Sequence, residues 1–288
     1  MTMFLTVLIN GLVFGGVYAL LSMGLTTQYG VARILNIAHG EFIILSSFIT
    51  WELVRTFKVH PLVALFVAGP FVFAISFVLH RTLYKRVREM SANDGVFEGN
   101  AILVAFGVYF IVQNLMRIRW GSHTTGYTFM MYSFSIGEAQ FQARSLFVLV
   151  SAVIICIAYN LFLLHTRVGK AIRAAAQDAG AAGLLGVKIN RVMALCFALG
   201  GLLAAFAGVL ISMNQTFTSV TGLNYTVIAI IVVVLGGLGS IKGAILGGFI
   251  LGIVGTLVNQ YDPSLMPVVF YLIILVLMLV RPKGLLGR

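Results

Sequence analysis

Nine long stretches of unalternating apolar sequence restrict what this chain can fold into. They run over Phe4–Thr26, Ile34–Leu53, Leu62–Leu79, Ala101–Leu115, Ser145–Leu164, Val192–Met213, Tyr225–Leu238, Ala244–Val258 and Met266–Val280. A barrel strand alternates apolar and polar residues; these runs do not, so they read as helices. Hydrophobic residues make up 60% of the 288 and charged residues only 9%, against about 25% charged in soluble domains. The fold class expected is therefore an all-α polytopic membrane protein with about 8–9 transmembrane helices. Several runs fall short of the ~20 residues of a straight crossing, so some are expected to be broken or re-entrant. Residues 1–288 read as a single transmembrane domain, because no polar stretch is long enough to bury a core of its own.

Charge placement gives the orientation. With the C-terminus in the cytoplasm, fourteen of the nineteen lysines and arginines face inward, and only Arg55, Lys58, Arg117, Arg119 and Arg144 remain outside. The positive-inside rule favours that arrangement, with the N-terminus outside if the crossings are odd in number. Orientation then accounts for the net charge of +11, and no nucleic-acid partner is required. Met1–Gln28 lacks a basic leader and a small-residue cleavage site, so no removable signal peptide is expected. Cys156 and Cys196 lie inside apolar runs and read as packing residues.

The most informative connection is residues 165–191, HTRVGKAIRAAAQDAGAAGLLGVKINR. Its alanine-rich centre predicts a helix over Ile172–Ala182, followed by an apolar pair, Leu184 and Leu185, between Gly183 and Gly186. A loop that only turns the chain need not be helical or carry exposed leucines. One reading is a solvated basic loop; the other is a docking element with Arg173 and Asp178 at the rim of the contact. On the outer side, Met116–Arg144 carries Trp120, Tyr127, Phe129, Tyr132 and Phe134, either interface anchors or a surface for an external partner.

Two further clusters interrupt the apolar runs. LNIAHGEF (35–42) brings Asn36, His39 and Glu41 together around Gly40. These groups either cap a helix end at the interface or satisfy a broken helix beside a transport path. Gly236, Gly237, Gly239 and Ser240 form a GGLGS corner that predicts a hinge or tight turn needing φ > 0 at a glycine. Small residues spaced by four, at Gly239/Gly243/Gly247, Gly248/Gly252/Thr256 and Gly200/Ala204/Gly208, predict close helix contacts. The chain has no phosphate loop, no metal-ligand spacing and no nucleophile–base arrangement, so it does not read as an enzyme and calls for no cofactor of its own.

LNIAHGEF, the loop Gly169–Arg191 running into ALGGLLAAFAGVL (198–210), and VVLGGLGSIKGAILGG (233–248) together resemble the H-type (LivH-like) permeases of branched-chain amino-acid ABC importers. The resemblance implies an ABC-importer permease fold and a place in a bacterial inner membrane. It further implies a second homologous permease, two cytoplasmic ATP-binding subunits that carry ATP and Mg, and a periplasmic substrate-binding protein. By the same resemblance, Gly169–Val187 corresponds to the segment that docks on the ATPase, with Arg173-Ala174-Ala175 standing where the family's acidic start would be. Permeases for urea and short amides share these motifs. A proton-driven secondary transporter, with Glu41 and His39 as the relay, is a separate alternative.

Overall fold

The computed structural model describes residues 2–136 and 139–287. Its helices are α1 (Thr2–Ala32), α2 (His39–Phe57), α3 (Ala64–Leu79), α4 (Lys85–Met90), α5 (Asp94–Trp120), α6 (Ala143–His165), α7 (Arg167–Gln177), α8 (Ala179–Leu184), α9 (Ile189–Asn214), α10 (Gly222–Gly236), α11 (Ile241–Tyr261) and α12 (Met266–Val280). Seven helical stretches among the described residues are long and apolar enough to cross a membrane, α3 and α4 forming one of them through a π-turn; α10 is shorter. Among the described residues the strands form one hairpin, β1 (Ser133–Ile136) with β2 (Ala139–Gln142), with Phe134 opposite Phe141.

α9 is the hub. It packs against α1, α2 and α3, and α11 covers the other side of α1. Small residues set the distances. Side chains added at Gly248 and Gly252 would run into the backbone of Ala19 and Gly15, and one at Gly208 would strike Ile43 and Ser46. With no water to compete in the bundle, polar side chains bond across helices to backbone carbonyls. Ser46 donates to Ala205 O at 2.9 Å, Ser47 to Gly208 O at 2.8 Å, and Gln28 to Phe197 O at 3.0 Å.

Two of the chain's crossings are made with a break. After α1 the chain leaves helical geometry over residues 33–38, and α2 then begins at His39. The His39 ring meets the carbonyl of Leu21, eleven residues back from the end of α1. At 1.5 Å per residue that is about 16 Å into the bundle, near the middle of a hydrocarbon core about 30 Å thick. Likewise α9 is followed by a non-helical return over residues 215–221, and α10 begins at Gly222, fourteen residues before its own end at Gly236.

The two halves run in opposite senses: Gln28 of α1 meets Phe197 of α9 while the earlier Gly24 faces the later Gly200. α1 packs on α11 as α9 packs on α3; α2 meets α9 as α10 meets α1; and α2 touches α5 as α10 touches α12. The series α1–α2–α3–α5 and α9–α10–α11–α12 are thus arranged as an inverted repeat. α6 to α8 connect them, and α2 and α10 cross at the centre.

The loop helix differs from the expected single stretch over Ile172–Ala182. It is split at Asp178, which takes extended geometry (φ −154, ψ 107) and caps α8 by accepting from Ala181 N at 2.9 Å. An aspartate competes with the helix for backbone donors, and capping is the outcome it favours. Helix α5 is also longer at both ends than the apolar run Ala101–Leu115. At its start Asn93 caps it, accepting from Val96 N. At its far end Glu52 holds it, accepting from Arg119 at 2.6 Å and Trp120 Nε1 at 2.9 Å.

Candidate functional site: a broken-helix crossing and an exposed basic loop

At the centre, the first turn of α2 and the first turn of α10 interlock. Gly40 N donates to Thr226 Oγ1 at 2.8 Å, and the same hydroxyl donates to Ile37 O at 2.9 Å. A Cβ at Gly40 would overlap the carbonyl of Gly222, and one at Gly222 would overlap the Glu41 carboxyl group. The break is satisfied locally: Ala38 N donates to Asn36 Oδ1 at 3.1 Å, and His39 N donates to Asn36 O at 3.1 Å. Backbone without helix is tolerated at this depth only because protein groups take up its hydrogen bonds.

Asn36, His39 and Glu41 are all buried. His39 Nε2 lies 2.9 Å from Leu21 O, and since a carbonyl only accepts, the proton sits on Nε2. His39 Nδ1, Asn36 Nδ2 and both carboxyl oxygens of Glu41 have no hydrogen-bond partner among the described residues. A charged group at such depth is costly unless it faces protein or water.

Beside the start of α10 lies a cavity of about 420 Å³, lined by Tyr18, Gln215, Thr216, Asn224, Tyr225 and Asn259 among others. Its polar groups are all uncharged. Of its polar residues only Thr256 stands out in the sequence, as part of a small-residue spacing. The available signal was weak: asparagine, glutamine and tyrosine scattered singly through apolar runs that are far apart in the chain.

The second region is the basic loop. Thr166 caps α7, accepting from Gly169 N at 3.0 Å and donating to Phe162 O at 2.7 Å. α7 buries Gly169, Ile172 and Ala175, spaced by three on one face, against the bundle. Arg173 reaches back to the Leu164 carbonyl at 3.2 Å. The turn after α8 closes with Gly186 at φ +85, a conformation that glycine adopts freely. That turn leaves Leu184 92% and Leu185 86% exposed, on a loop outside the apolar crossings.

The glycine corner lies at the same end. Gly237 and Gly239 have φ of 102 and 82, whereas Gly236 belongs to α10 and Ser240 caps α11 through Gly243 N at 3.1 Å. The C-terminal segment clamps the corner: Leu285 N donates to Leu235 O at 2.9 Å and Leu286 N to Gly236 O at 3.0 Å. A cavity of about 490 Å³ joins Gly239, Tyr29 and Arg33 to Ala176 of α7. The loop, the end of α1 and the corner are therefore neighbours.

Comparison with known proteins agrees with this architecture. The family described as "Branched-chain amino acid transport system / permease component" matches residues 7–281. The chain is 31% identical to the high-affinity branched-chain amino acid transport system permease protein LivH of Escherichia coli K12, over 99% of this chain and 96% of that protein. It is 30% identical to BraD, the corresponding protein of Pseudomonas aeruginosa, with the same coverage. The ribose import permease RbsC of Escherichia coli matches only 38% of this chain, at 32% identity. No solved structure matches. With nearly its whole length accounted for, the chain belongs to the permease family of branched-chain amino-acid ABC transport systems.

Proposed function

We propose that this chain is a membrane-embedded permease subunit of an ATP-driven importer that moves branched-chain or related amino acids across the bacterial inner membrane. The family match over residues 7–281 carries the reading. In the assembled transporter it pairs with a second homologous permease. Two ATPase subunits on the cytoplasmic side bind ATP and Mg, and a periplasmic binding protein delivers substrate. The C-terminus and the α7–α8 loop face the cytoplasm, as thirteen basic residues gathered at that end among the described residues support; Arg288 lies outside those residues. Met1 likewise lies outside them, and the N-terminal end of α1 is on the periplasmic side.

Movement of the ATPases is passed to α8, through α7 to its neighbours α1, α6 and α9, and so to the crossing of α2 and α10. That is a rigid-body coupling. Asn36, His39, Gly40 and Glu41 stand at the break beside the path, and the uncharged outer cavity offers room for an amino-acid-sized solute. Gly236, Gly237, Gly239 and Ser240 form the corner about which α10 and α11 adjust.

Two measurements test this. Cysteines placed at Ser91 and Gln177 should resist an impermeant thiol reagent in intact cells and react once the membrane is opened. Labelling of both from outside would overturn the orientation. In cells expressing the complete transporter, unlabelled isoleucine and valine should compete with leucine uptake. Competition by urea or short amides, and not by these amino acids, would assign the substrate to the amide class instead.

A further inference from the structure

The basic end of the bundle carries a second built site, separate from the crossing and from the exposed leucines. Two cavities, of about 610 Å³ and about 230 Å³, share His80, Lys85 and Asn190 and so adjoin. Arg81, Lys85, Lys188 and Arg191 line the larger one, with Phe77 and Ala194 and no acidic side chain, whereas Lys85, Arg88 and Glu89 all line the smaller one. Lys85 is partnered by Glu89 at 3.5 Å, but Arg81, Lys188 and Arg191 form no ion pair among the described residues. Cations held this close repel one another, and an anion between them relieves that repulsion.

The backbone points to the same sign of charge. The 26-residue helix α9 begins here, and Lys188 at its N-cap makes no side-chain cap; Arg191 N turns back to Lys188 O at 2.9 Å, while Ile189 N and Asn190 N meet no acceptor among the described residues. Asn190 and Arg191 of that turn line the larger cavity. A helix start with free donors favours phosphate.

An independent observation comes from two buried side chains. His80 is 6% and Tyr84 1% exposed, and His80 Nδ1 and the Tyr84 hydroxyl have no hydrogen-bond partner among the described residues, yet both residues line the smaller cavity. They bracket the π-turn that joins α3 to α4, where Lys85 N reaches back five residues to His80 O. Such turns recur at binding sites. Next to the cations, Val78 is exposed on a membrane-crossing stretch.

We propose that these adjoining cavities bind the phosphate headgroup of an anionic glycerophospholipid, with its acyl chains along Phe77 and Val78. Arg81, Lys188, Arg191 and the start of α9 hold the phosphate, and His80 and Tyr84 supply the unused polar contacts. A soluble phosphate would satisfy the same cations but leaves the adjoining apolar face without a role.

The test uses the full chain with its partner subunits, purified in detergent and mixed with phosphatidylglycerol or phosphatidylcholine, with retained lipid counted by native mass spectrometry. The parent should retain phosphatidylglycerol about tenfold over phosphatidylcholine, as expected for a few basic contacts. Arg81→Gln with Arg191→Gln should bring that ratio near one. Arg81→Lys with Arg191→Lys should keep most of it, and Lys58→Gln, a basic residue at the opposite end, should leave it unchanged. An even ratio in the parent, or an undiminished preference in the double glutamine variant, overturns the proposal. Displacement of bound phosphatidylglycerol by low-millimolar inorganic phosphate would assign the site to a soluble anion and overturn the lipid as its occupant.

Discussion

Gly40→Val should abolish transport while leaving the chain in the membrane. The first turn of α2 lies so close to the start of α10 that even one carbon at Gly40 would overlap the Gly222 carbonyl and approach Thr226 Oγ1 to 2.6 Å. Both elements are held by neighbours that cannot yield cheaply: Gly40 N and Ile37 O share the Thr226 hydroxyl, and α9 backs α2. Overpacking a close contact of this kind costs about 3 kcal/mol, enough to depopulate the crossing of order a hundredfold. Gly222→Val should do the same, since its side chain would strike the buried Glu41 carboxyl. Gly40→Ala, which still overlaps but adds less volume, should fall between parent and valine. Uptake and membrane level are measured side by side. If both valine variants transport like the parent at equal membrane level, the α2–α10 crossing is not part of the moving path.

The effect should be confined to transport because the remaining contacts of the bundle lie elsewhere. α1 with α11, and α9 with α3, pack through faces that neither glycine touches. Loss of the protein from the membrane would mean instead that the crossing is required for folding.

The membrane class, the approximate positions of the helices and the exposed leucine pair were legible in the sequence, because each depends on local properties. Apolar length marks a crossing, and an apolar pair between glycines after an alanine-rich helix marks a protruding turn. The positive φ at Gly237 and Gly239 likewise follows from local composition. The depth of LNIAHGEF was not legible, because Arg33 beside it suggests a boundary. Residues 33–38 return into the bundle instead, and the Leu21 carbonyl that meets His39 belongs to another helix. The split at Asp178 was hidden because alanines on both sides favour helix, and only the cap on Ala181 N decides for a break. The inverted repeat left no trace in the motifs, since its two halves share backbone path and packing partners and not residue types. The outer cavity was missed for the same reason: Tyr18, Asn224 and Asn259 meet only in the folded chain.

Leu184 and Leu185 are the most direct point of attack on the idea that this chain is driven by a partner ATPase. At 92% and 86% exposure they lie on a loop outside the apolar crossings, and a turn closed by Gly186 at φ +85 holds them out. Burying a leucine at an interface stabilises it by roughly 1.5–3 kcal/mol. Placing a carboxylate there instead adds the cost of an unpaired buried charge. Arg173 bonds to Leu164 O and Asp178 caps α8, so a smaller part in docking is expected of them. An exposed rim charge contributes up to about 1 kcal/mol. The decisive measurement is co-purification of the ATPase subunits with Leu184→Asp and Leu185→Asp, alongside membrane level. The predicted result is loss of the ATPase from both variants at normal membrane level, with Arg173→Ala retaining most of it. Full recovery of the ATPase with both aspartate variants would contradict the assignment of the α7–α8 loop as the element through which this permease is driven.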